Sequence, residues 1–199
     1  MQALTSTADL LISSLGGLFL LAILMRFLLQ LAKADFYNPV SQAVVRITNP
    51  LVKIFRGVIP GYKGFDFSTL LLALIIEFVF VVALIYLNGF RPPGIGTIIT
   101  WSVVGVVSFI INIYFWAIIA SVIMSFVMLF SGTMNPHPIL RLIWQLTEPL
   151  MAPVRKIIPP MGGLDFSPMI IFIGIQLLKN LLIQSFGISP AIASVIIGI

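Results

Sequence analysis

The segment from Ser68 to Phe90 reads STLLLALIIEFVFVVALIYLNGF and contains a single charged residue, Glu77. A helix needs roughly 20 mostly apolar residues to cross a hydrocarbon core about 30 Å thick. This segment therefore predicts a membrane-spanning helix. Three further stretches meet the same requirement, namely Leu10 to Leu31, Trp101 to Phe130 and Pro168 to Phe186.

The third of these spans lies in an apolar run, Ile95 to Phe130, that is too long for one upright helix. We interpret it as a helix from Trp101 that is tilted, or bent near Gly105. The alternative is an extra interfacial turn before a shorter span. A closing apolar segment, Ile188 to Ile199, is too short to cross.

The composition of the whole chain agrees with a membrane protein. Its 199 residues are 60% hydrophobic and only 9% charged, with a formal net charge of +5. A soluble domain carries about 25% charged residues, so that class is excluded. There is no cysteine, which excludes disulfides, thiolate metal sites and cysteine nucleophiles. We therefore predict an all-α integral membrane protein with four transmembrane helices.

The Lys and Arg residues lie mainly in two of the connections between spans. The first connection contains five of them and the last contains three, whereas the middle one has only Arg91. Basic connections remain on the cytoplasmic side. We therefore expect a multi-pass protein with both basic connections in the cytoplasm and both termini on the other side of the membrane.

These two basic connections are copies of one another. The first contains Thr48-Asn49-Pro50-Leu51 and Gly64-Phe65-Asp66-Phe67-Ser68, and the second contains Thr147-Glu148-Pro149-Leu150 and Gly163-Leu164-Asp165-Phe166-Ser167. A constant offset of 99 (147 minus 48, 165 minus 66) relates them. The sequence thus predicts two helix-connection-helix repeats, residues 1–92 and 93–199, with connections 38–60 and 135–159. Because two spans precede the second unit, the repeats are parallel, with a pseudo-axis along the membrane normal.

Each connection contains residues that typically start and end a short helix. Asn before Pro predicts an N-cap followed by proline at the first helical position, and a later proline breaks or restarts the helix. A third proline ends the helical part of the connection, and a serine caps the membrane-spanning helix that follows. The residues in these roles are Asn38, Pro39, Pro50, Pro60 and Ser68 in the first copy, and Asn135, Pro136, Pro149, Pro159 and Ser167 in the second.

Asp66 and Asp165 precede the second span of each unit, where a carboxylate favours the positive end of a helix dipole. The alternative is that they form a paired ion site or a partner site with Arg56 and Arg155. Both connections also alternate basic and apolar residues at helical spacing, as do helices that lie in the headgroup plane of an anionic leaflet. The predicted lipid or partner surface comprises Arg46, Lys53, Arg56, Arg141, Arg155 and Lys156. Because this charge is spread over headgroup-level segments, we expect no direct binding of nucleic acid.

The doubled Asn-Pro, Thr-x-Pro-Leu, Ile-Pro and Gly-x-Asp-Phe-Ser pattern resembles the YggT family of small bacterial membrane proteins, related to YlmG and to chloroplast homologues. The resemblance covers nearly the whole chain. Together with the charge pattern, it implies a location in the bacterial inner (cytoplasmic) membrane, with both termini periplasmic. It implies a role in envelope or osmotic homeostasis, in cell division, or, as in plastids, in cytochrome assembly or nucleoid placement. It brings no catalytic residues. For haem attachment this chain offers no cysteine and only His137 as an axial ligand.

Charged residues within spans are costly and are therefore functional candidates. They are Arg26, Glu77 and Lys179, and the offset of 99 places polar Ser125 and Gln176 at the positions equivalent to Arg26 and Glu77. One hypothesis is a polar clamp between the helices of each unit, with Glu77 paired to Arg26 or to Lys179. The alternatives are a proton- or cation-linked site and a contact with a partner, while Arg26 could also extend towards the headgroups.

No sequence motif for catalysis or nucleotide binding occurs, and one histidine offers no acid and base pair. We therefore expect a non-enzymatic scaffold, assembly factor or accessory subunit without cofactor or metal. Four helices enclose little interior, so self-association or a larger membrane complex is expected. The alternative function is a small ion channel or cation-linked transporter centred on Glu77, Arg26 and Lys179.

Overall fold

The computed structural model describes residues 2–57, 59, 61, 64–131, 137–159 and 165–199. The described chain is all-helical. Its helices are α1 Gln2–Leu31, α2 Pro39–Arg56, α3 Phe67–Leu87, α4 Ile95–Ser131, α5 Pro138–Ile157, α6 Ser167–Ser185 and α7 Pro190–Ala193.

Four of these helices are long and apolar enough to cross a membrane, as predicted. The qualifying segments are Ser6–Leu31, Phe67–Leu87, Ile95–Val127 and Ser167–Ser185. The third is one continuous helix that begins at Ile95 rather than Trp101, so the interfacial turn considered as an alternative does not form. The apolar run has no proline to interrupt its hydrogen bonds, which explains its continuity.

The main core lies where α1, α3 and α4 pack together. Leu24, Leu84 and Val104 are among its buried residues. Large apolar side chains also cover the outside of the bundle, including Leu18 on α1 and Leu181 on α6. Exposed apolar surface of this extent is what a lipid-facing bundle requires.

The closing segment, residues 188–199, folds back into this core. Val195, Ile196 and Ile197 are buried and belong to the same apolar cluster as α1, α3 and α4. The segment is too short to span, as predicted, but the structure gives it a role that the sequence did not indicate. It occupies the space between the longer helices.

Helices α2 and α5 lie at the same end of the bundle, next to the C-terminal ends of α1 and α4. Asn38 donates a 2.8 Å hydrogen bond from Nδ2 to the carbonyl of Pro138, and the N–H of Asp35 donates to Oε1 of Gln145 at 3.1 Å. These bonds join the two connections directly. Both helices continue through Pro50 and Pro149, so the predicted breaks are wrong. Each proline removes one helical N–H, while tertiary packing of Val52 on α2 and Met151 on α5 holds the helices together.

The predicted helix starts are correct in one case and wrong in others. Asn38 caps α2, since its Oδ1 accepts from Val40 N at 3.0 Å, and Pro39 is the first helical residue. In contrast, α5 begins at Pro138 with His137 as its N-cap. Three of the predicted residues, Pro60, Asn135 and Pro136, lie outside the described residues.

The serines predicted to cap the spans do not cap them. Asp66 caps α3 by accepting from Thr69 N at 3.2 Å, and Ser68 instead donates to the carbonyl of Ile59. Ser167 is the first residue of α6, and its N–H donates to Oδ1 of Asp165 at 2.9 Å. At the start of both spans, an aspartate carboxylate therefore accepts the backbone N–H instead of a serine hydroxyl. Carboxylates are favourable at helix N-termini.

Candidate functional site

An Arg–Asp ion pair forms at the same place in both halves of the chain. Arg56 of α2 pairs with Asp66 before α3, and Arg155 of α5 pairs with Asp165 before α6, where Nε lies 2.8 Å from Oδ2. The two pairs connect each basic helix to the start of the following span. Each Asp thus lies at the start of a span and contacts the Arg considered as its partner from the sequence.

The electrostatics of the two pairs agree. Burial opposes ionisation of Asp66, but hydrogen bonds from Arg56 and Thr69 outweigh it and hold the pKa of Asp66 below its usual value. Burial likewise opposes ionisation of Asp165, and hydrogen bonds from Ser167 and Arg155 lower its pKa. Both carboxylates are therefore charged at neutral pH.

The second pair has an additional member. Nη1 of Arg155 donates to both carboxylate oxygens of Glu148 at 2.9 Å. The residue equivalent to Glu148 in the first half is Asn49, which is neutral. Arg155 is thus shared by two carboxylates, and the second cluster is more acidic than the first.

This pairing changes the predicted basic surface. Arg56 and Arg155 are neutralised by their carboxylates, so they contribute little net charge to a lipid or partner surface. Four basic residues remain exposed, and they take part in no ion pair within the described part of the chain. They are Arg46, Lys53, Arg141 and Lys156.

Arg26 is buried, and its guanidinium points to α2. Nη1 donates to Oγ1 of Thr48 at 2.9 Å and to the carbonyl of Val45 at 3.5 Å. The predicted ion pair with Glu77 is therefore wrong, because Thr48 and a helix carbonyl lie closer to the end of the Arg26 side chain. Burial also excludes the interpretation in which Arg26 extends to the headgroups.

The equivalent residues of the second half do not repeat this contact. The hydroxyl of Ser125 donates to the carbonyl of Ser121 in its own helix at 2.9 Å, and Ser125 is exposed. Gln176 is likewise exposed on α6. The polar clamp predicted for the second half is therefore not formed by these two residues.

Glu77 is completely buried and binds the closing segment. Its Oε1 accepts from the N–H of Ile197 at 2.9 Å, while Oε2 has no protein partner among the described residues. Gly105 makes room for this carboxylate, since a Cβ at position 105 would lie 2.5 Å from Oε1. From the sequence, Gly105 was considered only as the position of a bend in the third span.

Lys179 binds the same segment through Asn112. Its Nζ donates to Oδ1 of Asn112 at 2.8 Å, and Nδ2 of Asn112 donates to the carbonyl of Gly198 at 2.6 Å. The alternative pairing of Glu77 with Lys179 is therefore also wrong. The contacts of residues 197 and 198 were not predicted, because the sequence alone indicated no hydrogen-bond partners for their backbone groups. Unpaired peptide groups in an apolar segment were the available signal.

A large cavity opens between α4, α5 and α6. Its volume is about 700 Å³, and its walls include Ser125, Trp144, Thr147, Arg155 and Asp165. Across the described ranges no three His, Asp or Glu side chains come together as metal ligands would.

Comparison with known sequences places this arrangement in a family. A sequence model of the CCB3/YggT family matches residues 2–87 and again residues 100–186. The chain belongs to the CCB3/YggT family. The family matches thus cover each half separately, and each includes one basic helix with its Arg–Asp pair.

The relatives of this chain include proteins of similar length. The uncharacterized protein PA0392 of Pseudomonas aeruginosa is 41% identical over 188 residues, covering 94% of this chain and 93% of the relative. The uncharacterized protein YggT of Escherichia coli K12 is 35% identical over 168 residues, covering 83% and 84%. The uncharacterized protein ycf19 of Porphyra purpurea is 31% identical over 86 residues, which are 41% of this chain and 90% of ycf19. No solved structure matches the chain.

Proposed function

We propose that this protein is a non-enzymatic scaffold, assembly factor or accessory subunit of a bacterial inner-membrane complex, with a role in envelope or osmotic homeostasis. Its working surface is formed by α2 and α5, which lie at the cytoplasmic leaflet, and both termini are periplasmic. The two halves, residues 1–92 and 93–199, act as parallel repeats that each supply one such helix.

The observation that carries this proposal is the exposed apolar face of both basic helices. On α2, Ile47, Leu51 and Ile54 are exposed although the helix packs on the bundle. At about 100° per residue, they are turned by about 80–160° around α2 from Arg46 and Lys53. An exposed apolar face beside a basic face suits a helix embedded at an anionic membrane interface.

Helix α5 has the same division of faces. Ile139, Leu150 and Ile157 are exposed on one side, Arg141 is exposed on the opposite side, and Lys156 is exposed about 100–120° around the helix from the apolar residues. Hydrogen bonds from Asn38 and Asp35 hold α5 against the start of α2, so the basic residues of both helices lie at the same end of the bundle. Anionic lipid and an acidic region of a partner protein, or of a second copy, are the occupants that this charge favours.

The test is a combined charge removal, Arg46→Gln, Lys53→Gln, Arg141→Gln and Lys156→Gln. We expect weaker retention of phosphatidylglycerol and loss of co-purified protein partners in mild detergent, measured by mass spectrometry. Arg91→Gln is the matched control, since Arg91 is exposed in the connection between α3 and α4, at the other end of the bundle. If the fourfold variant retains lipid and partners as the wild type does, the scaffold proposal fails.

A second candidate function is a small ion channel or cation-linked transporter. It is favoured by the buried Oε2 of Glu77, which has no protein partner among the described residues and lies within a membrane-spanning helix. Arg26 and Lys179 would then set the charge on either side of the pathway. This function predicts ion flux in proteoliposomes that Glu77→Gln abolishes without loss of assembly, whereas the scaffold predicts no flux in either protein.

A further inference from the structure

The cavity between α4, α5 and α6 has a filled counterpart in the first half of the chain. The offset of 99 relates Ser125, Thr147, Arg155 and Asp165, which line the cavity, to Arg26, Thr48, Arg56 and Asp66. In the first half the guanidinium of Arg26 occupies this place, where it is 4% exposed and bound to Thr48. Ser125 is small and neutral, so the second half has space where the first has a buried cation.

The acceptor that binds Arg26 is preserved in the cavity. Thr48 donates its hydroxyl hydrogen to the carbonyl of Val44 at 2.7 Å and accepts from Arg26. Thr147 donates to the carbonyl of Ile143 at 3.0 Å in the same manner, is buried, and lines the cavity. The Thr147 oxygen therefore retains a lone pair for an incoming N–H donor.

The charges around the cavity favour a cation. In the first half, the formal charges of Arg26, Arg56 and Asp66 sum to +1. In the second half, the formal charges of Arg155, Asp165 and Glu148 sum to −1; Arg155 and Asp165 line the cavity, and Glu148 pairs with Arg155. A ligand with one ammonium group would neutralise the second cluster, whose side chains are half-buried.

The remaining walls of the cavity favour a ligand with hydrocarbon chains. Phe126, Met169 and Ile173 line it and are each at least half exposed on the outside of the spans. The cavity thus continues from charged groups at the end of α5 onto the apolar flank of α4 and α6. A small polyamine would leave these apolar walls uncovered, whereas a phospholipid would cover them.

We propose that this cavity binds a phospholipid with a primary-ammonium headgroup, whose cation takes the place that Arg26 takes in the first half of the chain. The ammonium donates to Thr147 and to the carboxylate of Asp165. Glu148 does not line the cavity and acts through Arg155, whose charge it neutralises. The lipid phosphate approaches Arg155, and the acyl chains lie along Phe126, Met169 and Ile173. This inference goes beyond the scaffold proposal, because it concerns a discrete cavity and a lipid without net charge.

The test uses the fluorescence of Trp144, which lines the cavity, in a variant where it is the single tryptophan. The variant Trp101→Phe with Trp116→Phe is purified in detergent and titrated with phospholipids whose acyl chains carry bromine, which quenches tryptophan on contact. Phosphatidylethanolamine is the probe. Phosphatidylcholine is the comparison because its quaternary ammonium has no N–H, and phosphatidylglycerol supplies an anionic headgroup. We expect phosphatidylethanolamine to bind about tenfold more tightly than phosphatidylcholine, equivalent to about 1.4 kcal/mol.

Variants of the cavity decide whether the preference arises there. Ser125→Arg reproduces the first half of the chain and should abolish the preference by filling the site. Glu148→Gln, a change at a half-buried residue of α5, should reduce the preference and provides the test if Ser125→Arg fails to fold. Asp9→Asn removes a carboxylate near the start of α1 and should leave the preference intact. Equal quenching by phosphatidylethanolamine and phosphatidylcholine, or an unchanged preference in folded Ser125→Arg, would each overturn the proposal.

Discussion

Glu77 on α3 accepts a hydrogen bond from the backbone N–H of Ile197, a residue 120 positions further along the chain. The acceptor is completely buried, and the donor belongs to a segment too short to cross a membrane. A costly intramembrane carboxylate thus satisfies a backbone group that would otherwise be unpaired in an apolar environment. The contact gives Glu77 a structural role in this fold.

We expect Glu77→Leu to loosen the closing segment while Glu77→Gln preserves it. Leucine offers no acceptor, so the Ile197 N–H would be buried without a partner, at a cost of about 1–3 kcal/mol. Hydrogen exchange of residues 188–199 in detergent measures this directly. The matched control is Gln176→Leu at the equivalent but exposed position of α6, which should change stability by less than about 0.5 kcal/mol. Equal exchange in Glu77→Leu and the wild type would show that the bond contributes nothing.

Gly105→Ala should destabilise the protein although alanine favours helices. The added Cβ would lie 2.5 Å from Oε1 of Glu77 and 2.7 Å from Cγ2 of Ile196, so these two side chains must shift. Overpacking of this kind costs about 1–3 kcal/mol. The thermal unfolding midpoint in detergent is the measurement. Gly174→Ala on α6, where nothing lies within 4 Å, should instead stabilise by about 0.5–1 kcal/mol, and a gain in both variants would contradict the close approach.

Asn112→Leu should also free the closing segment, by removing the bridge between Lys179 and Gly198. The carbonyl of Gly198 loses its donor and the ammonium of Lys179 loses its acceptor. Replacing Lys179 by Met in the same chain should recover part of the loss, because no unpaired cation then remains. A double-mutant cycle of unfolding free energies tests this coupling, and strictly additive effects would indicate that the two residues act independently.

The Asp66 ion pair should make stability depend on pH at the acidic end. The pKa of Asp66 is lowered in the folded protein, so its contribution is fully present above about pH 4, the usual aspartate value. That contribution is lost as the pH falls from there through the lowered pKa. The unfolding midpoint measured between neutral and acidic pH should fall less steeply in Asp66→Asn than in the wild type. Identical slopes would mean that Asp66 ionises alike in the folded and unfolded chains.

Much of the arrangement was predictable from local pattern. Apolar runs indicated four spans, and Asn-Pro indicated the start of α2 at Pro39. The doubled Gly-x-Asp-Phe-Ser sequence placed Asp66 and Asp165 at helix starts, where the structure has them. These features depend on residues close in sequence, for which propensity and capping chemistry suffice.

The partners of the intramembrane charges were not predictable in this way. Depth along a helix made Arg26 and Glu77 suitable for an ion pair, yet Arg26 binds Thr48 and Glu77 binds Ile197. The direction of each side chain around its helix, rather than its depth in the membrane, decided which groups Arg26 and Glu77 bind. Sequence patterns report that direction only for helices with two distinct faces, and α1 and α3 are apolar all round.

The sequence by itself determined that this is a multi-pass, all-helical protein built around two similar basic connections, because hydrophobic run length and charge placement follow directly from residue order. Only the tertiary structure decided that the closing segment re-enters the core, that Arg155 is shared by two carboxylates, and that a cavity stands where Arg26 has no counterpart. These features arise from contacts between residues far apart in the chain. Their geometry depends on how whole helices pack, which no local pattern encodes.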